Sequence, residues 1–155
     1  MSGLEPQEPA AAARAIIDAG RYMTLGTADE AGLPWVSPVW YAPASYRELL
    51  WVSRPEARHS RNIVARPQVG IVIFDSHAPV GGGQGVYMSA LAEEAGAVDL
   101  ARRMEVFSRR SRDQGARAWT TEDVQPPARL RLYRALVSEH FVLSARDERL
   151  PVALD

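Results

Sequence analysis

The sequence predicts an all-β core: a closed or nearly closed antiparallel barrel of six or seven strands with two or three peripheral helices. Two observations carry this expectation. From Gly32 to Phe74 the pattern runs turn, strand, strand, a short basic helix and then an almost wholly apolar strand. Most connections are too short for the crossover helices that parallel strands require. With 155 residues, 46% of them hydrophobic, the chain fits one compact domain over residues 9–155, behind a disordered tail at residues 1–8.

Each element has its own signal. Residues 1–8 mix Ser, Gly, Pro and Glu and read as the tail, whereas residues 9–19 are Ala-rich, carry Ile16 and Ile17, and meet Gly20 where a helix C-cap is wanted. Residues 22–27 and 33–41 flank Asp29-Glu30-Ala31-Gly32, a polar connection with Gly where positive φ is needed; this predicts a hairpin. Residues 49–53 form the next strand. Pro55 then sits early in a helix running from Arg54 to the Arg66-Pro67 stop. Residues 69–74 read as a fourth strand, and the Gly-rich stretch 75–85 as a long loop. Residues 86–93 form a fifth strand. Leu100, Met104 and Phe107 recur at helical spacing within residues 98–112, opposite a face of arginines. Residues 130–136 alternate as a strand, and after a short polar break residues 140–143 form another.

Composition excludes several function classes. A formal net charge of −1 argues against a general nucleic-acid binder, so any basic site is local. The absence of cysteine removes disulfides, thiolate nucleophiles and sulfur-ligated metals. The start of the chain lacks the apolar core of a secretory signal, and no run of about eighteen apolar residues offers a membrane span. A reduced, cytoplasmic protein is expected, with no membrane partner.

The sharpest chemical constellation is Ser53, Arg54, Arg58, His59 and Arg61 at a strand-to-helix junction. Free backbone N–H groups and the helix dipole favour an anion there, and arginine adds planar bidentate donors suited to phosphate. An ordinary solvated helix face remains the alternative reading of the same spacing. Nothing resembles a carboxylate pair, a Ser-His-Asp arrangement or a metal-ligand spacing, so no catalytic residue is assigned and no metal is expected.

Taken in order, these stretches resemble the FMN-binding split barrels related to pyridoxamine 5′-phosphate oxidase. Trp35-Val36-Ser37-Pro38-Val39-Trp40-Tyr41 is similar to that family's second strand, which lies along the flavin ring and ribityl chain. Residues 57–69 resemble its Ser-Arg-Lys, Asn-Leu, Asn-Pro-Arg-Val pattern. Arg58 falls on the phosphate-binding arginine and His59 on the phosphate-binding lysine. Val52 and Ser53 match the strand end that touches the flavin and its phosphate, and Gln84 the family's glutamine. The resemblance therefore implies an antiparallel split β-barrel, a homodimer with FMN at its interface, and cofactor contacts from Ser37, Pro38, Val39, Trp40, Val52, Ser53, Arg58, His59 and Gln84. Trp40 is the preferred neighbour of the ring. The implied activity is a flavin-dependent oxidoreductase acting on a small molecule, with NAD(P)H a possible electron donor. The alternatives are a deazaflavin-dependent reductase, or a flavin or haem binder without turnover.

Departures from the pattern shape these expectations. Ala57 replaces the family's serine and His59 its lysine, which makes the phosphate grip weaker or more dependent on pH. The C-terminal tryptophan and Arg-Leu-His-type motif of true pyridoxamine phosphate oxidases are missing, and Arg149-Leu150-Pro151 reads as a polar tail. Other features have plainer readings: residues 81–85 as a flexible lid or hairpin loop, His77 and His140 as structural or solvated, and the arginines at 102, 103, 109, 110 and 112 as a solvated face. Trp35, Trp40 and Trp51 suit core or dimer packing as well as ring stacking.

Overall fold

The computed structural model describes residues 8–144 and 146–155. Of the expected tail, only Glu8 is among them, at the N-cap of the first helix; the rest of that expectation lies outside the described residues.

Helix α1 (Pro9–Ala19) starts on proline, whose missing N–H costs nothing in a first turn, and the Gly20 N–H closes it on the Ile16 carbonyl. Glycine is needed at position 20 for space rather than for φ. The backbone there is ordinary extended, φ −70°, but a Cβ would collide with the Tyr41 hydroxyl. Strands β1 (Tyr22–Ala28) and β2 (Pro34–Trp40) make the expected hairpin, with Tyr22 opposite Trp40 and Ala28 opposite Pro34. The Asp29 carboxylate accepts from the Ala31 and Leu33 N–H groups, and Gly32 takes φ +87°.

A short strand, β3 (Ala42–Ser45), follows at once and pairs with β4 (Glu48–Ser53). It gave no signal, because four residues cannot show alternation and Pro43 reads as a breaker; at the sheet edge its missing N–H breaks no ladder. Helix α2 (Arg58–Ala65) begins later than expected. Pro55 lies in a turn closed by the Ala57 N–H on the Arg54 carbonyl, so Arg54 stays outside the helix and Arg58 opens it. Arg66, held extended before Pro67, ends it as expected.

Strands β5 (Gln68–Phe74) and β6 (Gly85–Glu94) and helix α3 (Leu100–Asp113) follow, then a 3-10 turn (Thr121–Val124). The two final strands expected from the sequence are one, β7 (Arg131–Leu143). Ser89 pairs with Glu139 and Ala90 with Val137, which leaves Ser138 as the extra residue of a bulge, its hydroxyl donating to the Ser89 carbonyl. The polar break is thus a bulge and not an end. The supposed polar tail is also a strand, β8 (Arg149–Val152), which pairs with the second half of β7 and satisfies backbone groups that β4 is too short to reach.

All pairings are antiparallel, in the order β2-β1-β5-β6-β7-β4-β3 with β8 beside β7. The sheet curls until β2 returns against β4, giving the split barrel expected from the sequence. Alternation fills two cores. The inner faces bury Leu25, Ile71, Ile73 and Met88, with Trp51 stacked on Tyr133, and Ala13 and Ile17 of α1 pack against this cluster. The outer face of β4 and β7 buries Leu50 and Leu132 under Met104 and Phe107 of α3.

Two α3 arginines depart from the solvated face expected of them. Arg103 is buried and pairs with Glu48 at 2.6 Å, while one Arg110 nitrogen donates to the Ile17, Asp18 and Gly20 carbonyls at the end of α1. Arg102 and Arg109 pair with Asp99 and Glu105 on the exposed surface. Among the described residues no helix is long and apolar enough to cross a membrane.

Candidate functional site

One end of the barrel gathers the last residues of β4, the β1–β2 turn and the start of α2. Ser53 Oγ and His59 Nε2 lie 2.8 Å apart there. His59 is half-buried, and burial lowers its imidazole pKa below the ordinary value, so the ring is neutral at pH 7. Arg58 is exposed, makes no ion pair among the described residues, and lies with its guanidinium 4.2 Å from the Trp35 ring centroid. The N-cap residue of α2 is Ala57, which offers no capping side chain. The first-turn N–H groups of α2 therefore have no intrahelical or side-chain partner. Ser60, in that turn, has a buried hydroxyl with no hydrogen-bond partner among the described residues.

Two residues without an assigned role from the sequence set this geometry. The buried Asn62 amide donates to the Thr27 hydroxyl at 3.0 Å, and that hydroxyl donates to the Trp35 carbonyl at 3.4 Å. Helix α2 is thereby tied to both strands of the hairpin. Asn62 had a signal: it falls one turn beyond Arg58 and His59, the one side-chain amide on the helix.

The other predicted contacts are distributed by strand alternation. Ser37 and Val39 share the inner face with Trp35; Ser37 is half-buried and Val39 belongs to the inner core. Pro38 and Trp40 lie on the opposite face. The Trp40 Nε1–H donates to Gln114 at 2.7 Å, and its ring meets Phe107 edge-on, 4.9 Å between centroids. Val52 packs against the outer core. Arg61 lines a hollow of about 350 Å3 with Asp29 and Glu30 rather than joining Ser53 and His59.

Gln84 sits at the other end of the barrel, where β5 ends and β6 begins. It lines an open cleft of about 770 Å3 beside α1, together with Ile16, Tyr22, Phe74 and His77. His77 is exposed and faces Asp75 at 3.6 Å. His140 is buried and donates from Nε2 to the Tyr46 carbonyl at 2.6 Å. Among the described residues no group of three His, Cys, Asp or Glu side chains could hold a metal ion.

Ser53, His59, Arg58 and the open turn of α2 together make a small donor-rich corner. Its donors are a hydroxyl, an imidazole, a guanidinium and backbone N–H groups, with no carboxylate among the described residues paired to the cation. That set suits a phosphate group, in which each oxygen accepts and the charge is negative.

Known structures share the fold. A haem-binding protein from Mycobacterium smegmatis superposes with a TM-score of 0.75 at 18% identity, over 97% of this chain and 60% of the other, so the chain spans less than two thirds of that protein's length. A putative pyridoxamine 5′-phosphate oxidase from Listeria innocua matches with a TM-score of 0.63 at 15% identity, over 84% of this chain and 94% of the other. A structure described as an F420 reductase matches with a TM-score of 0.58 at 19% identity, over 83% and 94%. No curated protein matches the chain in sequence. The family model for pyridoxamine 5′-phosphate oxidase covers residues 10–138, and the chain belongs to that family.

Proposed function

We propose that the chain binds FMN, with its phosphate at the first turn of α2, and works as a homodimeric oxidoreductase on a small organic molecule. The observation that carries this reading is the unpaired Arg58 beside an uncapped helix start and the Ser53–His59 pair. Arg58 would hold two phosphate oxygens through its N–H edges, Ser53 and the helix N–H groups would donate to the third, and a protonated His59 would add charge. Bound there, FMN supplies hydride or single-electron transfer, with NAD(P)H a suitable donor.

Two features support a second copy of the chain. Strand pairing places Tyr22, Val36, Phe74 and Leu91 on the outer face of β2, β1, β5 and β6, all exposed, with Gly26 and Gly70 leaving its middle flat. An apolar sheet face of this kind marks an interface. Gln84 and the α2 corner also sit at opposite ends of one barrel, so both reach the same cofactor only if two copies share it.

The test is a flavin titration of the purified, ligand-stripped chain, followed by absorption and fluorescence. Saturation at one FMN per chain, with turnover of NAD(P)H when an acceptor is present, is the expected result. No saturable FMN binding overturns the reading. F420 and haemin are titrated in parallel, because the shared fold includes an F420 reductase and a haem-binding protein. The phosphate-linked tail of a deazaflavin would use the same corner. If haem bound instead, its iron would need a nitrogen donor, and His77, the exposed histidine, would be the side chain to hold it.

A further inference from the structure

The contact between Arg58 and Trp35 has a chemical direction. A guanidinium that stacks uses its face, and its five N–H donors, which lie in the plane, stay free. A carboxylate partner would instead occupy those donors and cancel the charge. Trp35 is 40% exposed, which leaves the cation over its ring in reach of solvent and of an incoming anion. The spacing between the indole and α2 is fixed from behind by the Asn62, Thr27 and Trp35 hydrogen bonds. An exposed arginine otherwise spreads over many rotamers, and ordering it on binding costs affinity.

We propose that Trp35 is a positioning residue: its indole holds the Arg58 guanidinium with the N–H edges presented to the phosphate, so Trp35 acts through Arg58 and not by stacking on the flavin ring. This inference rests on the FMN reading above. It assigns the site a preference for a phosphorylated flavin over the same flavin without phosphate.

The experiment measures FMN and riboflavin dissociation constants for the full chain and its variants by fluorescence quenching. The riboflavin constant divided by the FMN constant reports what the phosphate contributes, whatever the ring does. Trp35→Leu should lower that ratio roughly two- to fivefold, the worth of an exposed cation–π contact, with riboflavin affinity unchanged. Trp35→Tyr, which keeps an aromatic face, should retain the ratio. In an Arg58→Ala background, Trp35→Leu should have no further effect. Equal weakening of both flavins would place Trp35 against the ring and overturn the proposal, as would an unchanged ratio. A parent chain that binds neither flavin removes the cofactor reading itself, a result distinct from the other two. If Trp35→Leu does not fold, Trp35→Thr, suited to an exposed strand, serves the same comparison.

Discussion

The Ser53 hydroxyl and the His59 imidazole share a hydrogen bond of 2.8 Å across the strand-to-helix junction, and burial keeps that imidazole neutral near pH 7. A phosphate dianion beside it would favour the protonated ring, so binding takes up a proton. FMN affinity should rise as pH falls from 8 to about 6.5, by at most about tenfold per pH unit, and level off as the phosphate gains its second proton near about pH 6. Riboflavin affinity should stay flat. His59→Lys, which carries its charge throughout, should abolish the slope; a slope that survives it would place the titrating group elsewhere.

Stability should move the opposite way with pH. Burial depresses both His59 and His140, so between their folded pKa values and the ordinary value of about 6.5 the unfolded chain binds more protons. Stability is therefore gained as pH rises through that window and lost as it falls. Thermal melting of the unliganded chain should occur at lower temperature at pH 5 than at pH 7.5. His59→Gln should shrink that difference.

Arg58→Ala should weaken FMN binding by about 1.5–3 kcal/mol, the worth of a charge-assisted hydrogen bond, because no other described contact depends on its guanidinium except the Trp35 stack. Melting temperature should hardly change. Unaltered FMN affinity would take Arg58 out of the site.

Arg110 predicts a purely structural effect. One of its nitrogens satisfies three carbonyls at the end of α1, at 2.6 to 3.3 Å, and its guanidinium carbon lies 5.3 Å from the Tyr41 ring centroid. Arg110→Ala leaves the Asp18 and Gly20 carbonyls without this donor at a helix end, while Ile17 keeps the Tyr41 hydroxyl, and should cost about 1.5–3 kcal/mol in denaturant unfolding. Arg110→Lys supplies charge without the fork and should recover only part of it.

Phe74 is exposed on the outer sheet face and opposes Gly85 in the β5–β6 ladder. If that face joins two copies, Phe74→Asp buries a charge at the interface and should convert a dimer to monomers in sedimentation velocity, with circular dichroism unchanged. FMN should be lost with the dimer. A variant that stays dimeric would move the interface to another surface.

The barrel was legible because its strands alternate and its turns carry distinctive residues; Asp29 and Gly32 alone define the first hairpin. What escaped was decided by pairing. Ser138 looked like a strand end because a bulge inserts a polar residue without breaking the ladder, and residues 149–152 became a strand only because β7 outruns β4. The corner at α2 was legible as a cluster of donors, since Ser53, Arg58 and His59 lie close in sequence. Its finer arrangement was not, because Trp35, Thr27 and Asn62 meet only after the hairpin folds over the helix. Trp40 shows the same limit: strand period fixes its face, but only the packing of α3 reveals that Phe107 and Gln114 already claim its indole.

Alternate residues of β7 serve different interiors, Tyr133, Ala135 and Val137 on one side and Leu132 on the other. Neither interior can admit water without stripping the strand that also seals its neighbour, which couples them into one cooperative unit. Helix α3, though it sits outside the sheet, should therefore melt together with the centre of the molecule, and its helical signal and the tryptophan fluorescence should be lost at one temperature.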